Sequence, residues 1–217
     1  MRIRAFPVVV VLFVLLPLCA AQAGTKSGRA AAVLDGDTLI LASGETVRLL
    51  GIDCPEMPHE DDPGQYYSSA AKRTLADLVM GEALKIEYEK HDRYGRILGR
   101  VRLGDGPEVN TRLVASGAAF FYYHRDLPPG FEEEIMRAQR RAMRMKKGFW
   151  RRVLALETEH GFWIGHRFSR RFHDPGCRHG KRISSKKRIL FGSLQEAFWE
   201  GFAPCRVCTP WPGKGYE

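Results

Sequence analysis

Acidic and arginine side chains recur along a stretch that is otherwise rich in valine, isoleucine, leucine, threonine and glycine. Asp37 follows an Asp-Gly turn, and Arg48 lies inside the second apolar run after it. Asp53 and Glu56 stand where that run ends, with Pro55 stiffening the chain between them. Carboxylates brought close together repel one another unless a cation or a proton relieves the charge, and calcium or magnesium suits such oxygen ligands. Spacing alone also allows a plainer interpretation, in which the aspartates only form a turn and a strand end.

A small antiparallel sheet must position these side chains. Residues 38–41 and 45–52 are rich in strand-forming residues and flank a Ser-Gly turn, which is the pattern of a β-hairpin. Residues 29–34 are predicted to form the strand before them. Turning the hairpin brings Asp37 back towards the end of the strand that carries Arg48. The pattern therefore predicts that the acids and the arginine meet at one end of the sheet.

A second group that could do chemistry lies in a turn further along the chain. Residues 92–96 read Asp-Arg-Tyr-Gly-Arg and separate two strand patterns, at 83–89 and 97–103. The planar guanidinium of Arg96 suits bidentate contact with phosphate and stays charged. Tyr94 could stack on a base or bond a phosphate. Taken alone, the turn is better explained as a Tyr-Gly turn with a surface arginine.

These two motifs, in this order and at this separation, resemble those of the staphylococcal nuclease (thermonuclease) family. The first is Asp-Gly-Asp-Thr followed by Val-Arg-Leu-Leu-Gly-Ile-Asp-Cys-Pro-Glu, and the second is the turn at residues 92–96. The likeness covers about residues 29–151. It implies a mainly β fold with helices, namely a five-stranded OB-type barrel with three helices. It also implies calcium-dependent cleavage of phosphodiester bonds.

The resemblance assigns roles to the residues of the two motifs. The implied calcium ligands are two carboxylates and one backbone carbonyl, those of Asp37, Asp53 and Cys54. The implied catalytic residues are two arginines that clamp the phosphate and one glutamate that orients or deprotonates the attacking water: Arg48, Arg96 and Glu56.

Three helical patterns and one apolar run complete this part of the chain. Periodic apolar positions predict a helix at residues 68–80, and a second, short helix is predicted at 109–116, before a glycine. A third is predicted at 131–147, where an acidic start and a basic end complement the helix dipole. Residues 118–123 are apolar and aromatic and are predicted to form the last strand. The resemblance implies that Tyr94 and a tyrosine of this run contact the nucleotide. Tyr123 matches that place, although Tyr122 could hold it.

The beginning of the chain has the character of a targeting segment. Residues 1–23 have a positive start, an apolar core and an Ala-Gln-Ala cleavage site, which is the pattern of a signal peptide. We therefore expect a secreted or periplasmic protein without stable membrane association once the signal is removed. The formal charge of +9 favours an anionic partner, although many basic proteins bind none.

After about residue 154 the sequence becomes aromatic and basic and carries a metal-ligand pattern. A His-x3-Cys pair and a Cys-x2-Cys pair supply four ligands typical of a structural zinc site: His173, Cys177, Cys205 and Cys208. His179 is a rival ligand, and a disulfide between the last two cysteines is the alternative in an exported protein. The pattern resembles the small zinc-binding domain at the front of the Ada DNA-repair protein, except that a histidine replaces one cysteine.

The sequence thus predicts a signal peptide at residues 1–23, a thermonuclease-like domain at 28–151 and a small zinc-binding α/β domain at 160–212. The predicted function is that of an exported, calcium-dependent endonuclease that hydrolyses DNA or RNA by metal-assisted attack of water. One alternative is a non-catalytic OB-type module that binds single-stranded nucleic acid. Another is a surface adhesin whose basic tail binds anionic polymers. The full set of acids and arginines favours catalysis, and we expect a monomer.

Overall fold

Eight strands form the first part of the protein in the computed structural model, which describes residues 24–60, 63–156 and 161–211. In chain order they are β1 (Gly24–Gly28), β2 (Ala30–Val33), β3 (Thr38–Leu41), β4 (Thr46–Leu49), β5 (Ile52–Asp53), β6 (Leu84–His91), β7 (Ile97–Leu103) and β8 (Phe120–Phe121). Six of them form one sheet in the order β1-β6-β7-β4-β3-β2, and β5 pairs with β8. Neighbouring strands are antiparallel, except that β4 and β7 run parallel. The predicted signal segment lies outside the described residues.

The two edges of the six-stranded sheet belong to adjacent segments of the chain. β1 pairs with β6 at one edge and β2 pairs with β3 at the other, yet only Arg29 separates β1 from β2. The sheet therefore curls until its two edges meet at this residue. The sequence predicted a single strand at residues 29–34 and missed β1, because Gly-Thr-Lys-Ser-Gly shows no apolar alternation.

The strand predicted at residues 45–52 is interrupted by a two-residue turn. β4 ends at Leu49, and the chain turns before β5 begins. Gly51 in this turn has a φ of +76°, and a Cβ atom there would lie 3.0 Å from the Leu127 side chain. Glycine adopts this conformation without the cost that a side chain would add. The turn gives Asp53 a new direction, back towards the sheet.

Four helices accompany these strands: α1 (Ser68–Val79), α2 (Val109–Ser116), α3 (Phe131–Arg144) and α4 (Trp150–Val153). α2 occupies the predicted residues, whereas α1 and α3 end earlier than predicted. α3 has acidic residues in its first turn and arginines in its last, which complements the helix dipole. It ends before Lys146, which has a left-handed φ of 49°. The last predicted strand, at residues 118–123, is reduced to β8.

The second part of the chain contains a smaller sheet in the order β11-β9-β10-β12. Its elements are β9 (Trp163–His166), β10 (Arg171–His173), α5 (Arg178–Lys181), a 3-10 turn (Ser185–Lys187), β11 (Arg188–Phe191), α6 (Leu194–Trp199) and β12 (Ala203–Pro204). In sequence, residues 188–191 are strand-like and residues 193–201 are helix-like, and β11 and α6 form there. β9 and β10 were not predicted. Ser193 caps α6, because its Oγ accepts a hydrogen bond from the Glu196 N–H at 3.0 Å.

The two parts of the chain share one hydrophobic cluster. Its large aromatic members come from both parts: Phe120, Phe149, Trp150, Trp163, Phe172 and Phe198. Gln139 of α3 is fully buried in the same region. Its Oε1 accepts from the Phe121 N–H at 2.6 Å, and its Nε2 donates to the Phe198 carbonyl at 2.6 Å. The second part is therefore packed on the first rather than tethered beside it.

The described helices include none with both the length and the apolar character needed to cross a bilayer.

Candidate functional site

Two aspartates and one arginine meet at the end of the hairpin, as the sequence predicted. Thr38 pairs with Arg48 in the ladder between β3 and β4, so Asp37, which precedes Thr38, lies beside the arginine. Arg48 Nη2 is 2.9 Å from Asp37 Oδ2 and 2.5 Å from Asp53 Oδ1. All three charged side chains are buried, so water screens their interactions little.

Arg48 also stabilises the turn that precedes Asp53, its second acidic partner. Its Nη1 donates to the carbonyl oxygens of Leu49 and Ile52, both at 2.9 Å. These bonds span the turn between β4 and β5. The arginine therefore fixes both its own orientation and that of Asp53.

Asp37 is held in one orientation by three neighbours. Its Oδ1 accepts from Thr38 Oγ1 at 3.0 Å, and its Oδ2 accepts from the Cys54 N–H at 3.1 Å. The carboxylate of Asp35 accepts from the Asp37 backbone N–H at 2.9 Å. Sequence reasoning gave Asp35 only a turn-forming role, and the structure adds that it fixes the backbone of the next acid.

A cavity of about 90 Å³ lies among these groups. Most of its lining is charged: Asp35, Asp37, Arg48, Asp53, Cys54, Pro55, Glu56, Arg96 and Arg206. The Glu56 side chain is 53% exposed, and partial burial together with Asp53 raises its pKa. A solvent-reachable carboxylate with a raised pKa is suited to accept a proton from a nearby water.

The carboxylates of the cavity suit a hard cation. Burial raises the pKa of Asp37 well above its usual range; Arg48 opposes this, while Asp35 and Asp53 add to it. A cation between the two buried aspartates would keep both ionised, and oxygen donors are the ligands that calcium prefers. The donor set therefore fits calcium. Burial and the nearby Asp37 also raise the pKa of the Cys54 thiol, so its sulfur stays neutral and is a poor ligand for such an ion.

The turn at residues 92–96 is organised by Asp92. Its Oδ1 accepts from the backbone N–H groups of Tyr94 and Arg96 at 2.8 and 3.0 Å, and its Oδ2 accepts from Arg96 Nε at 2.7 Å. Burial by itself would raise the pKa of Asp92, but the bonds from Arg96 and the backbone outweigh it and lower the pKa. The acid thus presents Arg96 to the cavity. The sequence showed this aspartate in the motif but suggested no role for it.

A larger cleft of about 470 Å³ adjoins the charged cavity. Its lining includes four arginines and two tyrosines: Arg48, Arg93, Arg96, Arg206, Tyr94 and Tyr122. The Tyr94 ring is well placed to meet a ligand, since the residue is 69% exposed. Tyr123 instead packs against the first core, and the Arg170 guanidinium lies 4.9 Å from its ring centre. The structure therefore brings Tyr94 and Tyr122 to the cleft and places Tyr123 beneath Arg170.

The four ligand candidates of the second part come together in space. Their ligand atoms all lie within 4.8 Å of one another: His173, Cys177, Cys205 and Cys208. β10, which ends at His173, runs parallel to β12, which precedes Cys205, and the Cys205 N–H donates to the Phe172 carbonyl at 2.9 Å. The rival ligand His179 is outside this group and contacts Arg178. We call the four residues the Cys/His cluster.

The thiols of this cluster are free, and so is Cys54, so the described cysteines form no disulfide. Three thiols and one imidazole are the ligands of many structural zinc sites, and their close mutual spacing suits tetrahedral coordination. The donor set therefore fits zinc better than it fits calcium, which prefers oxygen.

Arg206, between the two cysteines of the Cys-x2-Cys pair, reaches the charged cavity. Its Nη2 lies 3.4 Å from Asp53 Oδ1 and 3.6 Å from Glu56 Oε1. The Asp53 contact joins residues 153 positions apart in sequence. Sequence reasoning missed Arg206, because an arginine inside a Cys-x2-Cys pair carries no signal of where the fold will place it.

The fold and the site together define a class of protein. A curled, mainly antiparallel sheet carries two buried aspartates at one end, and arginines flank them. The chain belongs to the staphylococcal nuclease family. The family model, described as staphylococcal nuclease homologue, matches residues 46–152.

Three relatives illustrate the similarity. An uncharacterized endonuclease of Escherichia coli is 36% identical over 150 residues, which is 68% of this chain and 89% of the relative. A thermonuclease of Staphylococcus hyicus is 33% identical over 125 residues, 54% of this chain and 72% of the relative. A micrococcal nuclease of Shigella flexneri is 31% identical over 159 residues, 68% of this chain and 84% of the relative. The family match ends before the Cys/His cluster and Arg206.

Proposed function

We propose that the protein is an exported, calcium-dependent endonuclease that hydrolyses phosphodiester bonds of DNA or RNA. One observation carries the proposal, the meeting of five side chains at one cavity: Asp37, Arg48, Asp53, Glu56 and Arg96. Relatives named endonuclease, thermonuclease and micrococcal nuclease support the same activity. A module that only bound nucleic acid would have no chemical need for this set.

The arginines would stabilise the negative charge that builds up on the phosphate oxygens as water attacks phosphorus. Preorganised cations do this without reorganising during the reaction. Arg48 is oriented by two carbonyls and two carboxylates, and Arg96 is oriented by Asp92. Glu56 would position or deprotonate the water, in keeping with its exposure and its raised pKa.

Tyrosines would contact the nucleotide next to the cleaved bond. Tyr94 is supported by its exposure beside the arginines of the cleft. For the second contact, the lining of the cleft favours Tyr122 over Tyr123. Each aromatic ring offers a face for stacking against a base.

Calcium, when bound, would polarise the phosphate and favour an ionised water. Asp37 and Asp53 would hold it together with the backbone carbonyl of Cys54. We therefore expect Asp37→Asn to weaken calcium binding and Cys54→Ala to leave it nearly unchanged, because the carbonyl remains. Titration calorimetry with calcium measures both affinities. Loss of binding in Cys54→Ala with normal binding in Asp37→Asn would show that this ligand set is wrong.

The direct test of the function is cleavage of labelled single- and double-stranded DNA and RNA, with calcium and with a calcium chelator. Removing one preorganised charge-stabilising donor typically costs ~10²–10³ in rate. Arg96→Ala and Glu56→Gln should each lose activity on that order and stay folded. Arg112→Ala removes an exposed arginine of α2 and is the matched control. Full activity in Glu56→Gln would refute the role given to Glu56.

The same assay separates the nuclease from a binding module. A protein that binds single-stranded DNA but leaves every substrate intact in calcium would be an OB-type module without catalysis. Relative rates on the four substrates would also decide whether DNA or RNA is preferred.

The return of the chain at Arg29 supports the closed OB-type barrel implied by the family resemblance. Counted as one bent strand, β1 and β2 would join with β3, β4, β6 and β7 to give the five strands of that barrel. We further propose the division into a nuclease domain at 28–151 and a zinc-binding α/β domain at 160–212, the latter resembling the Ada domain.

The Cys/His cluster is proposed to hold one structural zinc ion, since all four positions are filled by protein groups. Elemental analysis of purified protein should find about one zinc per chain. His173→Ala should lose this metal, whereas the exposed His179→Ala should keep it.

Export and a monomeric state stay predictions from the sequence. Mass spectrometry of the mature protein would locate the site at which the signal peptide is cleaved.

A further inference from the structure

We propose that Arg206 is a third phosphate-binding residue of the candidate active site, carried there by the Cys/His cluster. This inference rests on the proposed nuclease function and extends it to the second part of the chain, residues 161–211, which we call the tail. The tail lies outside the family match, which ends at residue 152. The second part of the chain would then complete the site as well as fold beside it.

Arg206 places a third guanidinium beside the acids that Arg48 and Arg96 already flank. Its Nη2 lies 3.4 Å from Asp53 Oδ1, the same oxygen that Arg48 Nη2 contacts at 2.5 Å. It is also 3.6 Å from Glu56 Oε1. With Arg48 and Arg96, it lines both the charged cavity and the adjoining cleft. A phosphate bound beside the two acids would therefore meet three guanidinium groups.

Arg206 can bind an anion without giving up its acidic partners. A guanidinium carries five N–H donors, whereas both carboxylate contacts of Arg206 are made by Nη2. Its side chain is 63% exposed, so its other donors can meet solvent or a ligand. The pair with Glu56 is exposed on both sides and lies at 3.6 Å, so it contributes little to stability.

The Cys/His cluster sets the backbone position of this arginine. Cys205 and Cys208 flank a loop of two residues, Arg206 and Val207. The Val207 N–H donates to Cys205 Sγ at 3.5 Å, and Thr209 Oγ1 donates to the Cys205 carbonyl at 2.7 Å. A metal ion held by both cysteines would fix the two ends of this loop, and with them the site from which Arg206 reaches the cavity.

The tail supplies a second arginine close to the same cleft. The Arg171 guanidinium lies 3.5 Å from the ring centre of Tyr122, and that of Arg206 lies 5.9 Å from it. Arg171 also donates to the Tyr123 carbonyl at 3.4 Å. The contacts of Arg171 link β10, which pairs with β12 just before Cys205, to the tyrosines beside the cleft.

The test measures phosphate contact without any cleavage. A short, fluorescently labelled single-stranded DNA is titrated with protein in a calcium chelator at several salt concentrations. Each phosphate-neutralising cation adds about 0.7 to the slope of log affinity against log salt for single strands. Arg206→Ala should lower the slope by about this amount, and Arg206→Lys should keep most of it. Arg182→Ala, which removes an exposed arginine of the same tail, should leave the slope unchanged.

Cleavage in calcium gives the second readout. Arg206→Ala should reduce kcat/KM at least about tenfold, while its zinc content and Tm stay at the wild-type level. Should Arg206→Ala misfold, Arg206→Gln keeps most of the side-chain volume and a polar amide but removes the positive charge and the guanidinium donors. Wild-type slope and wild-type kcat/KM in either folded variant would overturn the proposal. If the wild-type protein cleaves nothing, the nuclease proposal fails by itself, and the salt slope still decides whether Arg206 contacts phosphate.

Discussion

At the scale of single residues, the site depends on acids that orient arginines. Arg48 is shared by Asp37 and Asp53, and Arg96 is held by Asp92. Each arginine is thus fixed by a carboxylate before any substrate arrives. Preorganisation of this kind lowers the cost of binding an anion, because the side chain has already lost its rotational freedom.

Asp92 is expected to act as a positioning residue. Asp92→Asn should keep the two backbone hydrogen bonds to the amide oxygen but lose the ion pair with Arg96. Asp92→Ala should lose all three bonds, and its kcat should fall further than that of Asp92→Asn. Steady-state kinetics at saturating calcium tests this order. Equal activity in all three proteins would show that Arg96 needs no support.

The lowered pKa of Asp92 also predicts how stability changes with pH. A carboxyl group whose pKa is lower in the folded protein stabilises the fold above its unfolded value, which is near 3.8, and loses this effect as pH falls through its folded pKa. The wild-type protein should therefore exceed Asp92→Asn in stability at about pH 5, and the difference should shrink below pH 3.8. Denaturant unfolding at several pH values measures it. A difference that is constant across this range would contradict the proposed ion pair.

The meeting of Asp37 with Arg48 could be predicted from sequence because a single hairpin brings them together. Asp53 joins them through the turn at residues 50–51, which the sequence did not predict. The ladder pairing of Thr38 with Arg48 follows directly from the turn between two short strands. Arg206 could not be predicted, because its place depends on the packing of the whole second part. Tyr122 and Tyr123 are adjacent, and only the shortened strand β8 and the contacts of each ring tell them apart.

At the scale of elements, close backbone contacts decide where helices end. Gly117 ends α2 with a φ of 75°, and Gly148 follows α3 with a φ of 55°. A Cβ atom on Gly148 would lie 2.1 Å from the Gly117 carbonyl oxygen. The Phe149 N–H donates to that same oxygen at 3.1 Å, which links α2 to the start of α4. Sequence patterns located α2 and the body of α3 well, but they do not show contacts between two glycines.

Gly148→Ala is therefore expected to be far more destabilising than a substitution at an unconfined glycine. Gly81 is the control, since it has a φ of 81° and nothing lies within 4 Å of an added Cβ. Gly81→Ala should lower the free energy of unfolding by roughly 1–2 kcal/mol, which is the cost of a left-handed conformation with a side chain. Gly148→Ala adds a backbone clash, so its loss of unfolding free energy, measured by chemical denaturation, should be clearly larger. Equal losses in the two variants would mean that the backbone contact relaxes without cost.

At the scale of the whole molecule, the nuclease part and the tail behave as one packed body. Gln139 is the buried polar link between them. Gln139→Ala would leave the Phe121 N–H without a partner, whereas the Phe198 carbonyl would keep its bond from the Gly201 N–H. An unsatisfied buried group costs about 1–3 kcal/mol, so the variant should lose a few kcal/mol of unfolding free energy. Gln195→Ala, at an exposed position of α6, should lose much less. Denaturant titration followed by tryptophan fluorescence compares the two, and similar losses would argue against the link.

The zinc ion proposed for the Cys/His cluster is expected to influence the cavity through Arg206. His173→Ala, which should prevent zinc binding, should then weaken binding of single-stranded DNA more in the wild-type background than in an Arg206→Ala background. A double-mutant cycle on the DNA affinities measures this coupling, because residues acting through one contact are not additive. Strictly additive effects would show that the cluster and the arginine act independently.

The contact between Arg206 and Asp53 also has a consequence for the time at which the site is assembled. The two residues are separated by 153 positions, so ribosomal synthesis makes Asp53 long before Arg206. A growing chain that ends before Cys205 already contains the strands of the large sheet and the acids of the cavity, but it lacks Arg206 and two of the four residues of the Cys/His cluster. The last contacts of the site can therefore form only after the chain has been made as far as Arg206, whatever the earlier part has already folded into.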